Sequence, residues 1–348
     1  MLGSALGYSI YSGLGVTLKQ VLVLGFGDSQ RSASTIYRIV QYESIFNAHG
    51  ARLSYLSKLD FNWRWLAAVR KADVVINQKC IFGVGVQIPV RALAKRLVFD
   101  IDDSMWARPV KPYHPLKRWQ IEARLARWVK SSDVVTVANS YIGDQLGRRG
   151  GEYDIVPMSL DLETWRPCQS PQRPDSGTVR MGWAGSPVGF AYLESIAPAL
   201  KEALARNPML RLAIYSGKRP NLDLPFEYVE FKRGTEHEFV QGLDIGLLPL
   251  GDDESARGKS PMKAIQYLAC GVPVVGAAPG ATRDILNAGN SVIVSSEQEW
   301  IHALGRLANS APLRKELGAA GLADARAKFD RTAVGERFVR LVLGLPAD

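Results

Sequence analysis

Residues 257–275 read RGKSPMKAIQYLACGVPVV. A basic loop holding Arg257, Gly258 and Lys259 leads into Ser260-Pro261. That pair is a helix-start signature, serine as N-cap and proline at the first helical position. Gly271 stops the helix, and Val272–Val275 reads as a buried strand. A helix start presents free backbone N–H groups and a partial positive charge, so it suits an anion. Lys259 and Lys263 add full charges, and Gly258 lets backbone approach a ligand. Together these residues describe a diphosphate cradle. They equally describe a plain helix start with solvated lysines.

The same strand-helix alternation extends in both directions. Upstream, short apolar runs read as strands at 21–24, 52–56, 73–76, 97–101, 133–137 and 154–156. Helical periodicity fills 36–47 and 116–130. Residues 166–177, RPCQSPQRPDSG, read as a linker. Beyond it, strands are expected at 179–183, 211–215, 227–231, 244–248, 273–275 and 291–294, and a helix at 190–205. A helical tail runs from Glu297, its last helix, 331–343, capped by Asp330. Such alternation means parallel strands covered by helices, in two doubly wound halves whose ligand sits in the cleft between them.

Composition agrees. The chain has 348 residues, 47% hydrophobic and 22% charged, enough for two globular cores. Lys and Arg number 43 against 34 Asp and Glu, a net charge of +9 that suits anionic partners. The three cysteines form no C-x-x-C pair, which points to a reducing compartment. No apolar run reaches the roughly 18 residues of a membrane span. The glycine-broken start, residues 1–20, does not read as a signal peptide. The four histidines have no metal-ligand spacing.

Three further motifs bear on chemistry. Asp100-Ile-Asp-Asp103 ends a strand. Asp102 and Asp103 are expected to face the cleft, one of them orienting or deprotonating an acceptor hydroxyl. Gly25-Phe-Gly27-Asp-Ser29 is a glycine turn where a phosphate or sugar could meet backbone, but Gln30 breaks a full G-x-G-x-x-G. Arg38 opens the next helix and could reach the cleft, though a solvated or helix-pairing arginine is the readier reading. Residues 114–130 alternate Trp119, Trp128, Leu116, Leu125 and Val129 with five basic side chains. They read either as a helix suited to an anionic membrane surface or as a domain helix with a solvated basic face.

The segment LACGVPVVGAAPGATRDILNAGNSVIV, at 268–294, resembles the carboxy-terminal half of group 1 (family 4) glycosyltransferases of the GT-B fold. LVFDIDDSMW, VANSYIGDQL, VRMGWAGSP and DIGLLPL are similar to that family in the same order, across roughly residues 19–340. The resemblance implies the α/β GT-B architecture: an acceptor domain at 1–165, a linker at 166–177 and a donor domain at 178–329. A carboxy-terminal helix at 330–348 would pack back on the first domain. It implies transfer from a UDP- or GDP-sugar, with retention and without metal or other cofactor. The acceptor would be a sugar, a lipid-linked or another hydroxyl, in cell-surface polysaccharide, glycolipid or natural-product synthesis. The setting would be cytoplasmic, with peripheral contact at the inner membrane face through 114–130. Two family glutamates, one for the donor sugar and one for the ribose, align with Gly258 and Gln266. The family's Arg and Lys after the first strand of the second domain are replaced by Gly185-Ser186-Pro-Val-Gly189. Phosphate charge then falls to Lys259, Lys263, Arg257 and backbone around Gly185 and Ser186, with Ser260, Pro261 and Met262 at the helix start. The two missing glutamates leave a non-catalytic nucleotide-sugar-binding module as an alternative. The net charge raises transfer to nucleic-acid bases, for which no nucleic-acid motif is present.

Overall fold

The computed structural model describes residues 18–25, 32–60, 62–108, 112–168 and 177–346. Gly27 and most of the expected linker lie outside them. Among the described residues, twelve strands form two six-stranded sheets. The first holds β1 (Lys19–Gly25), β2 (Ala51–Ser57), β3 (Val74–Gln78), β4 (Leu97–Ile101), β5 (Val134–Val137) and β6 (Asp154–Ile155), in the order β2-β1-β3-β4-β5-β6. The second holds β7 (Val179–Ala184), β8 (Leu210–Ser216), β9 (Glu227–Glu230), β10 (Ile245–Leu248), β11 (Val274–Gly276) and β12 (Ser291–Ile293), in the order β12-β11-β10-β7-β8-β9. Every ladder is parallel, with Val21, for example, opposite Leu53 on one side and Val74 on the other. Most of the strands are buried on both faces and read as continuous apolar runs; the edge strands β2, β6 and β9 are partly exposed, and all twelve fall within two residues of expectation.

Helices depart further. The span 36–47 is not one helix: Ala33–Arg38, a 3-10 turn at Val40–Tyr42 and Glu43–Ala48 replace it, breaking at Ile39 (φ −136°). The span 190–205 breaks at Ile196, with Pro198 in the first turn of Ala197–Arg206, where its missing N–H is tolerated. The tail resolves into Glu297–Asn309, Ala311–Lys328 and Arg331–Leu343. Asp330 caps the last, accepting from the N–H groups of Thr332 and Ala333 at 2.9 Å.

That last helix packs on the first sheet. Val334, Phe338, Val339 and Val342 are buried with Val21, Val23, Tyr42 and Phe46. The chain therefore crosses between the domains twice, and the crossings lie side by side. Leu160 N–H donates to the Phe329 carbonyl and Arg331 N–H to the Leu160 carbonyl, both at 2.9 Å.

Arg38 is neither solvated nor free to reach the cleft. It is 1% exposed and held by Asp100 in a two-point ion pair, with the Val156 and Pro157 carbonyls on its other side. Asp100 also accepts from Thr136 at 2.7 Å, so it belongs to the core. In the helix Pro115–Ser131, Leu125, Trp128 and Val129 join the core, whereas Leu116 and Trp119 are exposed. The apolar residues of 114–130 thus divide between two faces.

Candidate active site

The carboxyl ends of both sheets face a cleft of about 620 Å³. Asp102, Asp103, Gly185, Ser186, Lys259, Ser260, Pro261, Met262, Lys263 and Gln266 all line it.

On the first-domain wall, the loop after β3 turns sharply because the Asn77 side chain brackets it, accepting from Cys80 N–H and donating to the Cys80 carbonyl. This forces Lys79 to φ 44°, a left-handed conformation that a non-glycine residue holds only when its surroundings demand it. The result aims the Lys79 ammonium at Asp102, 2.9 Å away. Ser34 donates to the other Asp102 oxygen. Burial works against the Asp102 anion, but Lys79 and the Ser34 hydrogen bond prevail and hold its pKa below the usual carboxylate range. Asp103 is the reverse case. Burial, then the neighbouring Asp102 charge, push its pKa up, with Lys79 and Lys259 offsetting. The pKa values of two adjacent carboxylates are thus driven apart, Asp102 down and Asp103 up.

On the second-domain wall, the helix runs Met262–Ala269, starting one residue later than expected. Its cap is Pro261, in extended conformation, with no side-chain hydrogen bond. Ser260 is therefore not the N-cap. Its hydroxyl is engaged by the Asn139 amide, which donates to it at 2.8 Å. Lys263 packs against Trp183, its ammonium 5.1 Å from the ring centre. Burial lowers its pKa to about 8, against the pull of Glu236, with Lys259 adding to the fall. Gly185 makes that packing possible, since an added Cβ would strike the Trp183 ring and stand 2.8 Å from Lys263 Cε. The Gly185 N–H is not offered to a ligand, because it donates to the Tyr215 carbonyl at 2.9 Å.

Two expected site residues sit elsewhere. Arg257 is exposed and gripped by Asp252 through two 2.8 Å hydrogen bonds, so it does not line the cleft. Gly258 is buried where the domains touch: an added Cβ would collide with the Ser104 hydroxyl of the first domain. Its carbonyl accepts from Asn139 at 3.0 Å. The approach that this glycine permits is made by protein, not by ligand.

Other cleft residues carried no local signal. Glu236 opens the helix Glu236–Gln241 and accepts from Gln266 Nε2 at 3.3 Å. Burial raises its pKa, opposed by Lys263 and that hydrogen bond. Tyr37 of the first domain reaches the same pair; burial, then Glu236, raise its pKa, while Gln266 offsets. Tyr215 and Phe231 line the wall together, ring centres 5.6 Å apart. Tyr37 and Glu236 come from two helices and Lys79 and Phe231 from two loops, and only the tertiary fold joins them. Among the described residues no group of three or more His, Cys, Asp or Glu is disposed to hold a metal ion.

No family model matches the sequence, and no curated protein is significantly similar to it. Solved structures are similar in fold. Anabaena HepE in complex with UDP and glucose superposes with a TM-score of 0.72 at 11% identity, covering 94% of this chain and 100% of that one. The chain has the GT-B fold. Sucrose-phosphate synthase from Thermosynechococcus elongatus shares this GT-B architecture at TM-score 0.71 and 14% identity, over 93% and 98% of the two chains. An α-glucosyltransferase in complex with UDP and a 13-mer DNA containing an HMU base matches at 0.61 and 10% identity, over 94% and 100%. At these identities the likeness concerns the GT-B fold alone.

Proposed function

We propose that this chain is a family 4 glycosyltransferase moving a sugar from a UDP-sugar to an acceptor hydroxyl, with retention and without a metal. The observation that carries this reading is the opposition, across one cleft, of two lysines at a helix start and an aspartate pair. Lys259 and Lys263 meet the diphosphate charge. Gln266 and Glu236 take the ribose hydroxyls, Glu236 supplying the carboxylate that position 266 lacks. Phe231 offers an aromatic face to the base. Asp103 accepts a hydrogen bond from the acceptor hydroxyl, and Asp102, fixed by Lys79, holds the Asp103 loop. The acceptor oxygen attacks the anomeric carbon from the face that the diphosphate leaves. The bonding pair passes to the phosphate oxygen, which takes the hydroxyl proton. UDP and glucose in HepE support this choice of donor.

A nucleotide-sugar panel tests the reading by thermal shift, because a donor that binds only the native state raises the melting temperature. UDP-sugars are expected to do so at pH 7. The shift should shrink as pH rises through about 8, where Lys263 loses its proton. Without ligand the sign on stability is opposite: the unfolded lysine holds its proton longer, so this group alone favours folding as pH rises above about 8. A pH-independent shift would remove Lys263 from the phosphate site. UDP-sugar binding without turnover or hydrolysis would favour the non-catalytic alternative.

Glu236 has its own test. Glu236→Ala should weaken UDP by roughly 10- to 100-fold, the worth of a charge-assisted hydrogen bond, and weaken inorganic pyrophosphate less, only through the lost support of the Lys263 cation. Equal losses for both ligands would mean that Glu236 merely shapes the wall.

A further inference from the structure

A second cavity, of about 510 Å³, lies between the domains. Met158 and Ser260 line both it and the cleft, so they form the partition between the two. Its volume is that of an ordinary small-molecule site. The interior is apolar: Met158, Ile265, Ile285 and Phe329 are buried. The charged lining residues, Asp284, Lys328 and Arg337, are exposed and so stand at the mouth. Asp284 is already engaged. Its carboxylate accepts from the Ser140 N–H at 3.1 Å and the Ser140 hydroxyl at 2.7 Å, at the start of the helix Ser140–Gly147, where negative charge is favoured. Lys328 is paired with Asp324 at 2.9 Å. Arg337 has no ion-pair or hydrogen-bond partner among the described residues. The mouth thus offers an unspent cation beside an apolar interior.

We propose that this cavity binds a small organic anion, its apolar body in the interior and its carboxylate on Arg337, and that occupation tightens donor binding in the cleft. The apolar body gains by leaving water, and a charge-assisted hydrogen bond to the guanidinium orients it. An inorganic anion would leave the interior unfilled, and an organic cation would meet Arg337 with like charge. The coupling follows from what each wall is fixed to. Arg337 lies on the helix Arg331–Leu343, whose Val334 and Phe338 pack on the first sheet. Lys328 ends the helix Ala311–Lys328, which packs on the second domain, with Gly321 against Leu268. An anion at the mouth is held best at one angle between the domains. The cleft is likewise complete only where Asp103 and Lys79 face Lys259 and Lys263. Both ligands therefore favour one arrangement, and each strengthens the other by the same factor. The anion site stands on the cavity alone, whereas the coupling rests on the transferase reading.

Isothermal titration calorimetry with octanoate, octylamine and inorganic phosphate tests the site. Octanoate is expected to bind and the other two are not. Arg337→Glu should lower octanoate affinity at least about tenfold. Ala327→Trp, at an exposed position on the cavity wall, should block octanoate by filling its space. Both variants should keep the parent's melting temperature and its UDP affinity without octanoate. Saturating octanoate should tighten UDP about fivefold or more in the parent and in neither variant. Absence of octanoate binding would overturn the site, as would binding that both variants retain or that octylamine matches. Octanoate binding that leaves UDP affinity unchanged would overturn the coupling. Failure of UDP binding with octanoate still bound through Arg337 would sink the transferase reading and leave the anion site standing.

Discussion

Asp103→Asn is expected to bind UDP as the parent does and to turn over roughly 10- to 100-fold more slowly, the worth of a hydrogen bond to a charged group that orients the acceptor. The substitution keeps size and removes only the charge that receives the acceptor hydroxyl. Asp102→Asn should behave differently. It leaves Lys79 without its 2.9 Å partner in a partly buried site, so it should loosen the loop and destabilise the fold as well as slow turnover. Burial and Asp102 raise the Asp103 pKa, so the acid limb of the parent's kcat profile should lie above that of an ordinary aspartate. Steady-state kinetics of Asp103→Asn against pH, with UDP titrations alongside, separate these effects. Full turnover in Asp103→Asn would exclude Asp103 from the reaction.

The second large effect concerns stability. Arg38→Leu should cost about 3–5 kcal/mol, because it leaves the Asp100 carboxylate buried without its cation. It also strands the Val156 and Pro157 carbonyls, which the guanidinium satisfies in the parent. Arg38→Leu/Asp100→Leu should recover part of the loss, since an apolar replacement of the whole pair removes the uncompensated charge. Urea unfolding of the parent, the single and the double variant checks the order. A single variant as stable as the parent would show that the pair is dispensable.

The strand skeleton was legible because buried parallel strands carry an unmistakable apolar signature, and GVPVV is the clearest instance. Breaks inside helices were less so. Pro198 signals one, but nothing local marks the Ile39 kink, which tertiary packing imposes. The helix start at Lys259–Lys263 was legible as an anion site, yet its serine was misread. Ser-Pro is a capping pair only when proline turns helical, and here Pro261 stays extended at ψ 97°. Gly258 was read as room for a ligand, but the space is filled from the other domain by Ser104. A glutamate there would meet the same obstruction, which gives its absence a steric reason. Glu236 could not be found from sequence: it lies 30 residues from Gln266, and only the fold pairs them.

The paired crossings at Leu160 and Asp330 have a mechanical consequence. Two hydrogen-bonded segments side by side behave as a ribbon, easy to bend across its plane and stiff to shear or twist within it. The second domain should therefore swing about a single hinge axis. The two domains are otherwise joined by short polar contacts: Asn139 to Gly258 and Ser260, Ser140 to Asp284 and Arg118 to Glu254. Water can replace each of these as the jaws part. Opening should then be inexpensive and nearly one-dimensional, and product escape would be gated by a rocking motion with no need to unfold a lid.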